Sequence, residues 1–184
     1  MKLDRIILWT LGLLIVCSMA SATLDATVHT LCEKNISIDL GPKFRLTPSE
    51  DPSGSDGVFT ESVVITGTGS KGIATLEIID IYDEMMKSLG TEGLSQIVMG
   101  AVSFGTSYSS DLETGNFTGY WSAVSSKGEN VTVNTMDTRG TSLSIYGKEV
   151  DIAFWNLEDG IYGSVISAFD KNTTSKIINT LEIK

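Results

Sequence analysis

Residues 117–138, FTGYWSAVSSKGENVTVNTMDT, contain two runs of alternating polar and apolar residues on either side of a turn. In residues 130–134 (NVTVN), two valines alternate with three polar residues, which is typical of a strand with one buried face. Between the runs, residues 126–129 (SKGE) have the composition of a hairpin turn. The segment therefore predicts two antiparallel strands that are neighbours in a sheet.

The same strand-and-turn pattern continues on both sides of this hairpin. Further strands are predicted at 35–40, 58–66, 73–79, 142–146, 150–155 and 161–169. Helical spacing of apolar residues predicts helices over 80–89, 91–105 and 174–181, the last capped by Asp170 or Asn172. The predicted fold class is α+β, an antiparallel β-sheet meander flanked by helices.

The N-terminal segment has the layout of a secretory signal peptide. Lys2 and Arg5 precede an apolar run over residues 6–16, and Ala20-Ser21-Ala22 is a small-x-small cleavage site. We expect cleavage after Ala22, an N-terminal lead-in over residues 23–34 and a single domain over 35–184. Two alternatives stay open: residues 6–22 kept as a short membrane anchor, or a lipid attached at Cys17. The cleaved signal, the membrane anchor and the lipid attachment would each place the domain outside the cytoplasm.

Composition narrows the partners of the mature chain. The net charge is −10 for the full chain and −11 once residues 1–22 are removed, which disfavours nucleic acid and anionic lipid head groups as partners. Cys32 is the one cysteine that follows the predicted signal, so no intrachain disulfide is expected after cleavage. His29 lies three residues before it, but a lone His–Cys pair near a chain end is a weak indication of catalysis.

Four asparagines lie in N-glycosylation sequons, which agrees with export. They are Asn35, Asn116, Asn130 and Asn172. An acceptor asparagine must be exposed, so the sequence places all four on the surface.

Two groups of residues suggest a ligand site. Exposed aromatic residues of the meander would form a carbohydrate-stacking platform, although aromatic side chains more often fill cores. Phe117 and Trp121 are expected on one face of their strand and Tyr120 on the other. The other members of this aromatic group are Tyr146, Phe154, Trp155, Tyr162 and Phe169.

The second group is acidic. Asp80, Glu149 and Asp151 are the candidate carboxylates of a hydrolase, provided that the fold brings them together. Carboxylates that are neighbours on one helix face diverge into solvent, so the acids around Asp80 are more simply read as a solvated surface.

The order of elements resembles the PsbP-type fold, the family of the lumenal extrinsic proteins of photosystem II and their Ran-binding relatives. The resemblance rests on residues 35–46 as a first strand pair, on 73–79 leading into helical sequence, and on 161–169 followed by 170–183. It covers most of residues 35–184 through pattern, without signature residues. It implies an antiparallel sheet between helical layers and a non-enzymatic accessory or binding role.

The sequence as a whole predicts an exported or cell-surface accessory or binding domain that is not an enzyme and needs no cofactor. Its expected partner is a protein or glycan at the cell envelope, with membrane contact only through an uncleaved signal. The alternatives are an extracellular carbohydrate-binding module and a hydrolase with an acidic active site.

Overall fold

A computed structural model describes residues 27–48, 53–55, 57–68, 72–107, 116–139 and 142–184. The predicted signal peptide and its cleavage site at Ala22 lie outside these residues. The strands are β1 Thr27–Leu31, β2 Lys34–Ile38, β3 Phe44–Pro48, β4 Ser53–Ser55, β5 Val58–Gly67, β6 Ile73–Ile81, β7 Asn116–Val124, β8 Asn130–Asp137, β9 Glu149–Glu158, β10 Ile161–Ser167 and β11 Glu182–Ile183. The helices are α1 Glu84–Ser88, α2 Gly90–Ser107 and α3 Lys171–Thr180, with a 3-10 turn at Ser142–Ile145.

The described strands form two antiparallel sheets. The large sheet has eight strands in the order β3-β5-β6-β10-β9-β8-β7, and β4 pairs with β5 beside this path. The small sheet has three strands in the order β1-β2-β11. β11, near the end of the described residues, pairs with β2, which lies near their start.

The prediction of a helix-flanked α+β sandwich is wrong. The chain is mostly β, and a second sheet takes the place that the prediction gave to a helical layer. The segment that the sequence assigned to a lead-in of uncertain structure contains β1, which builds this second sheet with β2. The antiparallel sheet between helical layers that the PsbP-type resemblance implies is therefore not the architecture of this chain.

The main core lies between the two sheets and is closed by α3. Ile36 and Ile38 of the small sheet pack with Val63, Leu76 and other apolar residues of the large sheet. The α3 residues Ile177, Ile178 and the following Leu181 complete this core and are fully buried. Alternate residues of β8 face it, which confirms the predicted polar–apolar alternation of residues 130–134.

The opposite face of the large sheet carries two smaller apolar clusters. Leu94 of α2 packs on Phe154 and Tyr162, and Met99 of the same helix packs on Ile152 and its neighbours. Helix α2 thus covers the middle of the sheet at β9 and leaves the face of β7 and β8 more open. This partial cover creates the groove described below.

Three local predictions differ from the structure in instructive ways. Residues 142–146, predicted as a strand, form a 3-10 turn. The helix predicted over 80–89 is shorter, because β6 continues to Ile81 and Asp83 then caps α1. The closing helix, predicted over 174–181, begins earlier, at Lys171, with Asp170 as its cap. The helix predicted over 91–105 is confirmed as α2.

None of the helices within the described residues is both long and apolar enough to cross a bilayer.

Candidate functional site

Strands β8 and β9 are neighbours in the large sheet but are paired along only part of their length. Their ladder runs from Asp137 opposite Glu149 to Val133 opposite Ala153 and ends there. Both strands continue beyond this point, β8 to Asn130 and β9 to Glu158, without pairing to each other. We call the opening between residues 130–132 and 154–156 the strand gap.

A groove of about 470 Å³ lies at the strand gap, between the sheet and the first turns of α2. Its volume falls within the usual range of small-molecule sites, about 300–1,000 Å³. The lining residues from α2 are Thr91, Glu92, Ser95 and Gln96, and those from the sheet and its hairpin are Glu129, Asn130, Val131, Thr132, Asn134, Phe154, Trp155 and Asn156. Most of them carry amides or hydroxyls.

Trp155 of β9 carries a buried polar group without a partner among the described residues. The residue is 3% exposed, and its indole Nε1–H has no hydrogen-bond acceptor in the described part of the chain. A buried donor without an acceptor costs about 1–3 kcal/mol, so such groups are rare in folded proteins. Trp155 packs in the main core with Val131 and Ala153, whereas its neighbour Phe154 packs on the α2 side, so the indole points away from the face on which the groove lies.

Gly163 of β10 fixes the position of the Trp155 ring. The two residues lie opposite each other across β9 and β10. A Cβ atom added at Gly163 would lie 2.8 Å from Trp155 Cζ2, closer than real Cβ contacts allow. The absence of a side chain at position 163 therefore lets the indole lie flat against the neighbouring strand.

The amides of the groove differ in how firmly they are engaged. Asn156 Nδ2 donates to the Glu158 carbonyl at 2.9 Å. Among the described residues, Asn134 Nδ2 has the sulfur of Met99 as its acceptor, at 3.7 Å, which is a weak contact. The carbonyl oxygens of both side chains receive no donor in the described residues, so they are able to accept from a ligand hydroxyl.

The charges of the groove exclude one class of ligand. Glu92 and Glu129 are its charged members, and neither a lysine nor an arginine is among the lining residues. Recognition of a phosphate or carboxylate requires cationic or multiple N–H donors. The groove therefore suits a neutral polar ligand or one with a positive charge.

Edge strand β7 extends this polar face and adds two exposed aromatic residues. Phe117 is 43% and Tyr120 80% exposed. A bulge between Phe117 and Gly119 shifts the register, so that Phe117 lies opposite Met136 and Tyr120 opposite Asn134. Residues opposite each other point to the same face, so both aromatics share the face of Asn134.

The prediction that Phe117 and Trp121 share a face was therefore wrong. The glycine at position 119 was the available signal, because glycine inside a strand often marks a bulge. Of the remaining aromatic candidates, Phe154, Trp155, Tyr162 and Phe169 are buried, which confirms core filling for these four. The larger aromatic platform does not form, and Tyr120 with Phe117 is what remains of it.

A second cavity, of about 330 Å³, surrounds Asp151 of β9. This carboxylate is 7% exposed, and its Oδ1 accepts from Thr135 Oγ1 at 2.6 Å and from Trp121 Nε1 at 3.2 Å. Glu149, Asp170 and Lys171 lie at the same cavity. Lys171 Nζ stands 5.7 Å from the centroid of the Trp121 ring, which is within cation–π range.

Asp170 has a structural task at this cavity. Its Oδ1 accepts from the backbone N–H groups of Asn172 and Thr173 at 3.0 and 3.1 Å, and so caps α3. These bonds, with that from the Thr173 hydroxyl, lower the pKa of the Asp170 carboxyl. A glycosidase acid needs the opposite shift, so Asp170 is unsuited to that role.

The three acids suggested for a hydrolase are not brought together. Glu149 and Asp151 lie two residues apart on β9 and share the second cavity. Asp80 lies opposite Ile161, whereas Asp151 lies opposite Ser167 at the other end of β10. Six residues of strand separate the two positions by about 20 Å. In the described residues no group of three His, Cys, Asp or Glu side chains is arranged to hold a metal ion.

Cys32 is a structural residue. It is 3% exposed, and its Sγ donates to the Ile78 carbonyl at 3.3 Å. Burial, reinforced by the nearby Glu61 carboxylate, raises the pKa of the thiol to about 11. Because the thiolate is the nucleophilic form, Cys32 is unreactive at neutral pH.

Three of the four sequon asparagines are described with their side chains. Asn35, Asn130 and Asn172 are exposed, as an acceptor of a glycan must be. Asn116 begins β7, and its side chain lies outside the described set. Asn130 is the sequon asparagine among the lining residues of the groove, and Thr132 of the same sequon lines it too.

No protein-family model matches this chain, and no curated protein matches it significantly. The resemblance to the PsbP-type family therefore stays a prediction.

Proposed function

We propose that this chain is an exported, non-catalytic binding domain that takes a neutral carbohydrate in the groove at the strand gap. The amide and hydroxyl side chains of the groove carry the proposal, because the carbonyl oxygens of Asn134 and Asn156 receive no donor within the described residues. Sugar hydroxyls are both donors and acceptors, so one ligand type can satisfy the amides and the hydroxyls together.

The environment of the groove supports a sugar over other polar ligands. Amide and hydroxyl side chains predominate, and the lining residues that the structure describes include no cationic side chain, which disfavours anionic ligands. Exposed Tyr120, opposite Asn134 at the sheet edge, offers a flat ring beside these polar groups. An apolar face next to hydrogen-bonding groups matches the two kinds of surface that a pyranose ring presents.

A titration with N-acetylchitotriose, followed through the side-chain N–H signals in a ¹H–¹⁵N spectrum, tests the proposal. This sugar is neutral and carries hydroxyl and acetamido groups. We expect the side-chain amide signals of Gln96, Asn134 and Asn156 to shift on titration. The Trp121 signal should stay in place, because its N–H already donates to Asp151.

Variants then locate the site. Gln96→Ala and Asn134→Ala should each weaken binding about fivefold, the equivalent of one hydrogen bond of about 1 kcal/mol. Asn172→Ala is the matched control, because this exposed amide lies away from the groove on α3. Signals of the groove amides that neither the trisaccharide nor an array of neutral oligosaccharides moves would refute the proposal.

The hydrolase alternative is tested with the same protein. Turnover of a chromogenic glycoside that is lost in both Glu149→Gln and Asp151→Asn would show that the second cavity is catalytic. We expect no turnover, because Asp170 is held as an anion and the remaining carboxylates lie on one strand face rather than across a cleft.

A further inference from the structure

We infer that N-glycosylation at Asn130 closes the groove, so that the attached glycan and a free ligand exclude each other. This inference rests on the proposed function. It starts from two observations of different kinds: residues 130–132 form a sequon, and both the acceptor Asn130 and the hydroxyl residue Thr132 line the groove.

The geometry of β8 places the modification at the groove. Asn130, Thr132 and Asn134 alternate with the buried Val131 and Val133, so the three polar side chains share one face. Asn134 contacts Met99 of α2 from that face, which identifies it as the side on which the helix and the groove lie. A sugar on Asn130 Nδ2 therefore begins at the groove wall.

The modification itself is an ordinary group transfer. Asn130 Nδ2 bonds to the anomeric carbon of an oligosaccharide supplied by a lipid-phosphate-linked donor. The bond between that carbon and the phosphate oxygen breaks, the lipid phosphate leaves, and Nδ2 gives up one proton. The side chain gains a neutral, hydroxyl-rich chain of the same chemistry that the groove is proposed to bind.

A tethered sugar competes strongly with a free one. A short flexible link gives an effective concentration in the millimolar range, whatever the concentration in solution. The attached glycan therefore competes in two ways: it occupies space at the mouth, and it presents hydroxyls to the same amides. Glycans at Asn35 and Asn172 have no such path, because Asn35 lies in the small sheet and Asn172 in α3.

The experiment compares two variants, each with a single sequon. In the first, Asn35, Asn116 and Asn172 are changed to Gln, so that Asn130 is the sole acceptor. In the second, Asn35, Asn116 and Asn130 are changed to Gln, so that Asn172 is the sole acceptor. Each is made in a host that glycosylates and in one that does not, and N-acetylchitotriose binding is measured by calorimetry. Mass spectrometry reports glycan occupancy.

The affinity ratio within each pair is the readout, so any effect of the Gln substitutions on binding cancels. We expect the glycan at Asn130 to weaken binding at least tenfold and the glycan at Asn172 to change it less than twofold. Equal binding by both forms of the Asn130 variant, or an Asn130 left unmodified in the glycosylating host, overturns this inference and leaves the proposed function standing. Failure of all unmodified forms to bind overturns both.

Discussion

At the scale of single residues, the turn at Cys32 and Glu33 has an unfavourable backbone conformation. Cys32 and Glu33 form the two-residue turn between β1 and β2, with φ values of 49° and 60°. A turn with positive φ at both central residues normally uses Asn-Gly, because other side chains are strained there. Burial of the Cys32 side chain and the bond from its N–H to Glu61 hold the turn in place.

Glu33→Gly should therefore stabilise the protein. Glycine adopts a φ of 60° without steric cost, and the strain of a non-glycine residue there is on the order of 1 kcal/mol. We expect urea unfolding to show a gain of about 1 kcal/mol. Lys34→Gly is the control: it is the first residue of extended β2, so glycine should destabilise there. A loss of stability in Glu33→Gly would contradict the strain argument.

Glu77 is a partly buried acidic residue of the large sheet. It lies on β6 between Ser62 and Ser164 of the two adjacent strands. Burial raises the pKa of its carboxyl above the ordinary value of 4.5, and a hydrogen bond with Ser164 opposes this shift in part. The folded chain thus binds this proton more tightly than the unfolded chain does.

The sign of the pH dependence follows from this shift. The stability that protonated Glu77 contributes is present below pH 4.5 and is lost as the pH rises through the folded-state pKa. Glu77→Gln, which is neutral at all pH values, should be more stable than the wild-type chain at pH 7 and nearly equal to it at pH 4. Urea unfolding at both values checks this, with exposed Glu182→Gln as the control. Equal effects at the two pH values would refute the assignment.

At the scale of elements, the ends of helices and ladders decide where the sites lie. The β8–β9 ladder stops at Val133 and Ala153, and the strand gap opens beyond it. Gly163 admits the Trp155 indole against β10 at this gap. Asp170 fixes the start of α3, which closes the core between the sheets. The groove and the second cavity both depend on these end points.

Gly163→Ala tests the placement of the indole. The added methyl group would meet the Trp155 ring at 2.8 Å, so the ring must shift. We expect a loss of about 1–3 kcal/mol in stability, as in other overpacked cores. The indole N–H signal of Trp155 should move. Gly119→Ala is the control, because a methyl group there meets nothing within 4 Å. An unchanged Trp155 signal in Gly163→Ala would count against the close packing.

Asp170→Ala tests the helix cap. Loss of the carboxylate leaves the N–H groups of Asn172 and Thr173 without their acceptor, at a cost of about 1 kcal/mol. Asp170→Asn should recover most of the loss, because its side-chain carbonyl still caps. The difference in stability between the wild-type chain and Asp170→Ala should shrink as the pH falls below 3.8. The pKa of the capping carboxyl is lowered in the folded state, so its contribution to stability is lost in acid. Thermal unfolding at pH 3 and pH 7 reports both effects.

At the scale of the whole molecule, the second sheet accounts for the main failure of the sequence prediction. β1 pairs with β2, and β2 pairs with β11 from the other end of the chain. The β2–β11 pairing joins distant segments and leaves no local pattern, and β11 has only two residues. β1 and β2 are neighbours in the chain, but their Cys32-Glu33 turn lacks the Asn-Gly type of sequence that signals a tight hairpin. The meander from β7 to β10 was predictable because its neighbours in sequence are also neighbours in space.

Export remains a prediction that the native protein can test. We expect its intact mass to correspond to a chain that begins at Thr23, with added mass in sugar units at one or more of the four sequons. N-terminal sequencing checks the cleavage after Ala22, and treatment with an N-glycan-releasing amidase checks the sugars. A native chain that begins at Met1 inside the cell and carries no sugar would contradict both expectations.

The sequence by itself determined the local features of this protein. Residue alternation predicted the strands, apolar spacing predicted α2, and Asp170 was one of two caps expected for the last helix. The tertiary structure alone decided the second sheet, the bulge that places Phe117 with Tyr120, and the groove at the strand gap. The reason is physical: side-chain periodicity reports how one segment meets its surroundings. Which segments pair, and where a ladder stops, depends on contacts between residues far apart in the chain.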